Sequence, residues 1–90
     1  MKLTHVIISG RVQGVYFRDY TKQQAVRLNL TGWVRNLPDT TVEAVFQGRE
    51  HDIDSMLSRL KQGSPGSKVA AVQVEQLDSA ENFSDFTIRN

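Results

Sequence analysis

Gly10-Arg11-Val12-Gln13-Gly14-Val15-Tyr16-Phe17-Arg18 lies between a run of β-branched residues and a run of helix formers. Its two glycines let the backbone turn through positive φ and let a ligand come close to the main chain. A loop that leads into a helix exposes N–H groups with no partner inside the helix, at the end where the helix dipole is positive. Amides of that kind attract an anion. Arg18 stands at the expected helix start, and its planar guanidinium can grip two oxygens of one phosphate, which a lysine cannot copy. The competing reading is a glycine-punctuated loop with two solvated arginines. The residues of the stretch leave both open. A nucleotide-binding P-loop is not among the choices, because no Lys-Ser or Lys-Thr follows the last glycine and Asp19 stands alone as a magnesium ligand.

Asn36, in Trp33-Val34-Arg35-Asn36-Leu37-Pro38, is the second candidate. A carboxamide donates and accepts at once, so it can hold a water while touching a phosphoryl oxygen. An asparagine before Leu-Pro is also an ordinary turn cap, and taken alone that reading is favoured. The other polar residues carry less. His5 is expected on a sheet face and His51 at a solvated helix start, and two histidines without spaced acids do not make a metal site. Ser9 has no His and acid in triad order. Trp33 and Phe46 are expected in the core rather than on a recognition surface.

These residues need elements to hold them. Residues 3–9 read as a strand, 10–18 as a loop, and 19–30 as a helix whose inward stripe is Phe17, Thr21, Ala25 and Leu28. Residues 31–37 and 41–47 read as a hairpin around Pro38-Asp39-Thr40, with Val42, Ala44 and Phe46 on one face. Residues 50–62 form a second amphipathic helix on Ile53, Met56, Leu57 and Leu60. Glu50, Asp52 and Asp54 sit near its positive end and Gly63 at its C-cap. Residues 68–77 read as a strand with Ala70, Val72 and Val74 on one face, and 86–89 as a short last strand. The order predicts an α+β, ferredoxin-like βαββαβ sandwich. Two helices would lie on one face of an antiparallel sheet, with a short extra C-terminal strand.

Composition narrows the function. At 90 residues, one domain over 1–90 is expected. Hydrophobic content of 39% and charged content of 23% fit a folded globular chain. The net charge of +1 argues against a dedicated nucleic-acid binder. The charge is uneven, however: residues 1–45 carry +3 and residues 46–90 carry −2, which suits an anion site in the first half. Cysteine is absent, which excludes disulfides, thiolate metal sites and cysteine nucleophiles. No apolar run approaches the ~20 residues of a membrane span, and Ser9-Gly10 interrupt the first one. The expected setting is therefore cytoplasmic.

Gly10–Arg18, then Leu30-Thr31-Gly32-Trp33-Val34-Arg35-Asn36-Leu37-Pro38-Asp39, then Thr41-Val42-Glu43, resembles the acylphosphatase family. The likeness extends through Gly48, Gly63-Ser64-Pro65 and Phe86-Thr87-Ile88, and so covers essentially the whole chain. It implies hydrolysis of the carboxyl–phosphate bond of an acyl phosphate to a carboxylate and inorganic phosphate. Arg18 and Asn36 would be the catalytic residues. The backbone of Gln13, Gly14, Val15, Tyr16, Phe17 and Arg18 would bind the phosphate, and inorganic phosphate or sulfate could occupy the same loop. It further implies no cofactor, no metal, no nucleic-acid or membrane partner, and a monomer. The alternative is a non-catalytic module of the same family that binds phosphate or carbamoyl phosphate. An RNA-recognition domain shares the element order but needs aromatics on its third strand, where 41–47 offers Phe46 beside an acid. One departure stands out: the family has Asp-Gly where this chain has Asp39-Thr40. Since threonine resists positive φ, the turn is expected to take another shape.

Overall fold

Val6-Ile7-Ile8 forms the middle of β1 (Lys2–Arg11), the strand from which the rest of the sheet is built in the computed structural model, which describes residues 1–78 and 81–90. There follow α1 (Phe17–Arg27), β2 (Thr31–Asn36), β3 (Val42–Gly48), α2 (Glu50–Gln62), β4 (Lys68–Leu77) and β5 (Phe86–Arg89). The sheet order is β4-β1-β3-β2-β5. β1 pairs antiparallel with β3 and β4, and β2 pairs antiparallel with β3. β5 joins β2 in parallel, so the extra strand makes the sheet mixed rather than purely antiparallel.

Strand alternation sorts the side chains into two faces. Val6, Ile8, Val34, Val42, Ala44, Phe46 and Phe86 point to the helices, where they meet Phe17 and Ala25 of α1 and Ile53, Met56 and Leu60 of α2. The rings of Phe46 and Phe86 stack at 5.5 Å. Trp33 is not part of this core. It lies half-buried on the opposite face, with the guanidinium groups of Arg35 and Arg89 over its ring at 5.3 and 4.6 Å. On that face Glu43 Oε2 lies 2.7 Å from His5 Nε2, and Glu43 Oε1 accepts from Arg35 Nε at 2.5 Å. Burial opposes ionisation of Glu43. The hydrogen bonds from His5 and Arg35 outweigh it and hold the carboxyl below its ordinary value.

Three local expectations change. α1 covers 17–27 rather than 19–30. Asn29 takes the left-handed conformation (φ 58°), and the N–H groups of Asn29 and Leu30 return to the carbonyls of Val26 and Ala25. That pairing is a Schellman end, with asparagine in the place usually given to glycine. On β4, the register slips between Ser9 and Gly10, so Gly10 pairs with Val69 while Ser9 pairs with Ala71. The bulge replaces Ala70 by Val69 on the core face. Val69 and Val72 pack on the core, while Val74 is left 49% exposed at the sheet edge. In the hairpin, Thr40 does adopt positive φ (74°). Thr40 N–H donates to the Leu37 carbonyl at 3.2 Å and Leu37 N–H to the Thr41 carbonyl at 2.9 Å. Pro38 starts the turn and a left-handed residue ends it. Asp39 Oδ1 accepts from both Thr41 Oγ1 and Thr41 N–H, and these bonds, the side-chain one foremost, lower its pKa.

The chain must cross from β4 at one sheet edge to β5 at the other. Gln47, at the end of β3, holds that crossing. Its Nε2 donates to the carbonyl of Glu81 at 2.7 Å, and its Oε1 accepts from Phe83 N–H at 2.9 Å.

Candidate active site

The loop between β1 and α1 is anchored at both ends by buried side chains, Val12 and Phe17, each 1% exposed. Entry to it depends on Gly10 (φ 121°), where a Cβ would run into the Lys68 carbonyl and the Ala70 amide of β4. Between the anchors the backbone is left-handed at Gly14 (φ 74°) and again at Tyr16 (φ 58°), with Val15 between them on the ordinary side. Alternation of the two hands is the backbone pattern that can turn successive N–H groups toward one concave side. α1 begins directly after it, and Tyr20 N–H returns to the Tyr16 carbonyl at 3.0 Å. The loop is held from outside by Ser64 Oγ, which donates to the Val15 carbonyl at 3.4 Å.

A pocket of about 390 Å³ opens over this loop. Val12, Gly14, Tyr16 and Phe17 line it from the loop side, Arg18 and Asp19 from α1, and Asn36 from the end of β2. Arg18 and Asn36, 18 positions apart in sequence, thus face one cavity. Of the expected phosphate-holding stretch, Gly14, Tyr16, Phe17 and Arg18 line the pocket. Gln13 and Val15 do not: Val15 packs against the core, and the Gln13 carboxamide turns to the β2–β3 hairpin. His5 and His51 both lie outside it.

Arg18 is held by β5. Its Nη1 donates to the Arg89 carbonyl at 3.3 Å. A guanidinium has five N–H donors, so one backbone acceptor orients the fork and leaves the rest for a ligand. Asn36 is placed by its pairing with Val42. Its Oδ1 is buried, and no donor among the described residues reaches it. Such an acceptor is left for water or a ligand. Two groups had no signal in sequence. The Arg89 carbonyl is a main-chain atom with no residue-type signature. The Gln13 side chain was hidden by its place in the loop motif.

The strand order, with two helices packed on one face of the sheet, defines the ferredoxin-like α+β class. Within that class the chain belongs to the acylphosphatase family, whose pattern it matches over residues 4–88. It is 48% identical to the acylphosphatase of Pelotomaculum thermopropionicum across 93% of this chain and 91% of that one. The crystal structure of acylphosphatase from Bacillus subtilis superposes with a TM-score of 0.97 at 38% identity, over the full length of both chains. That of an acylphosphatase from Coxiella burnetii gives 0.93 at 40% identity, covering 98% of this chain and 92% of that one. The activity is that of the family, a hydrolase acting on acyl phosphates.

Proposed function

We propose that this pocket hydrolyses the carboxyl–phosphate bond without a metal ion, using Arg18, the loop amides and Asn36. Arg18 and the N–H groups of Gln13 through Arg18 hold the phosphoryl oxygens. Asn36 Oδ1 accepts a hydrogen bond from the attacking water and sets it in line with the bond to be cut. The water oxygen attacks phosphorus, and the P–O bond to the acyl group breaks. The carboxylate leaves with the electron pair, and the water proton passes to a phosphoryl oxygen. A carboxylate is a good leaving group and needs no general acid. Phosphoryl transfer of this kind depends on positioning and charge stabilisation. Inorganic phosphate, as product, binds the same loop. Every group named comes from one chain, so the reading requires no second copy.

The observation that carries this reading is Asn36 Oδ1, buried without a protein donor on the wall of the cavity that Arg18 and the glycine loop share. The test is phosphate release from a synthetic acyl phosphate in EDTA, with Arg18→Lys alongside. Removing one preorganised donor costs about 10²–10³ in rate, and lysine also loses the fork. We expect full activity in EDTA and a loss of at least that size for the variant. A requirement for added metal, or a variant at the wild-type rate, refutes the assignment.

A further inference from the structure

The Gln13 carboxamide reaches from the loop to the β2–β3 hairpin. Its Nε2 donates to the Leu37 carbonyl at 2.9 Å and to the Thr41 carbonyl at 2.8 Å. Both protons of one nitrogen are engaged, and their acceptors are the two residues that close the turn against each other. Leu37 directly follows Asn36, and Gln13 directly precedes Gly14. One side chain therefore joins the backbone that cradles phosphate to the backbone that carries Asn36. Packing does not supply this link at the next residue: a Cβ added at Gly14 would meet nothing within 4 Å.

We infer that Gln13 is a positioning residue, whose carboxamide sets the distance between the phosphate loop and the water held by Asn36. The inference rests on the roles of the loop and Asn36 proposed above. Its physical basis is the steepness of catalysis with geometry: a displacement of about 1 Å can cost about 10²-fold. The residue type is also specific. Asparagine is one methylene short, glutamate has no donor, and methionine matches the length without the protons.

Gln13→Met is the informative variant. It leaves no orphan, because the Leu37 carbonyl keeps the Thr40 N–H and the Thr41 carbonyl keeps the Leu37 N–H. The experiment is a double-mutant cycle with Asn36→Ala. Both kcat and the inhibition constant of inorganic phosphate are measured for each protein, and spontaneous hydrolysis is subtracted. Gln13→Met is expected to lower kcat by about 10- to 100-fold while the phosphate constant stays within about twofold, since Arg18 and the amides remain. In the Asn36→Ala background the same change should alter kcat less than about twofold, because no held water is left to misplace. Gln13→Asn, with its donors out of reach, should repeat the pattern and serves if the methionine variant does not fold. Equal losses in both backgrounds, an unchanged kcat, or a weakened phosphate constant as the main effect overturns the inference. If Asn36→Ala alone keeps the wild-type kcat, the role of Asn36 itself fails, and that result is distinct from the other three.

Discussion

Replacing Asn36 by leucine should make the enzyme inactive and leave its stability nearly unchanged. Asn36 sits on the helix-facing side of β2, two residues after the fully buried Val34 and opposite the fully buried Val42. Leucine is close to asparagine in shape and brings no polar atom. The substitution removes an acceptor that no donor among the described residues reaches, so no protein hydrogen bond is broken at Oδ1, and the water it would hold returns to solvent at little cost. Imperfect packing opposes the gain from a buried apolar side chain, since shape changes in a close-packed region usually cost up to about 1.5 kcal/mol. The net expectation is a change of less than about 1 kcal/mol in either direction. For a chain of this size each kcal/mol moves Tm by roughly 4–8 °C. Meanwhile the water loses its holder, and kcat should fall at least about 10²-fold.

The assay pairs thermal unfolding, followed by circular dichroism, with phosphate release on the same preparations. Two results refute the reasoning. A fall in Tm of more than about 8 °C would show that Oδ1 has a stabilising partner in the protein. A retained kcat would show that the water is held elsewhere. The pairing matters because most substitutions that cost activity through misfolding lower both quantities together. A group that serves chemistry rather than folding moves the rate and leaves Tm nearly in place.

Thr40→Gly should stabilise the hairpin by about 0.5–1 kcal/mol. A β-branched residue at φ 74° bears a left-handed penalty of about 1–2 kcal/mol, partly offset by the extra freedom glycine gives the unfolded chain. Urea unfolding measures the change, and a destabilised variant would show that the turn is not strained. Glu43→Gln should flatten the acid limb of the stability curve. The folded pKa of Glu43 lies below its unfolded value, so its contribution is present above about pH 4.3 and is lost as pH falls through the folded value. The variant should be less stable than the wild type at pH 7 and equal to it at about pH 2. Parallel curves at all pH values would contradict the pairing with His5 and Arg35.

The legible parts of this fold are those in which one local rule acts alone. The stripe Phe17, Thr21, Ala25 and Leu28 is visible because helical spacing suffices: the first three are buried and Leu28 packs against the core. Val42, Ala44 and Phe46 are visible because strand alternation suffices, and all three lie in the core. Rules fail where a neighbour decides. Which residue of Val69-Ala70-Ala71 faces inward depends on the slip of β4 against Ser9 and Gly10, whose partners Ala71 and Val69 lie 62 and 59 positions away in the chain. Trp33 has the composition of a core residue, but the parity of β2 is set by Val34, and that puts the tryptophan on the face without helices. Thr40 yields to positive φ because Leu37 and Thr41 are already joined on either side of it and Asp39 bonds Thr41 from within the turn.

The site divides in the same way. Its two side chains with chemistry to offer, Arg18 and Asn36, carry signals in their own neighbourhoods. Their arrangement does not. The guanidinium is oriented by a carbonyl 71 positions away, and the loop is tied to the asparagine strand by Gln13 across 24 and 28 positions. Asn36 is followed at once by a hairpin whose shape rests on Pro38, Asp39 and Thr40, and that hairpin is the acceptor of both Gln13 bonds. A turn with a different register would move those two carbonyls, and with them the span from loop amides to carboxamide. The positive φ at Thr40 therefore has a consequence beyond the hairpin: it keeps the acceptors of Gln13 within reach of the β1–α1 loop.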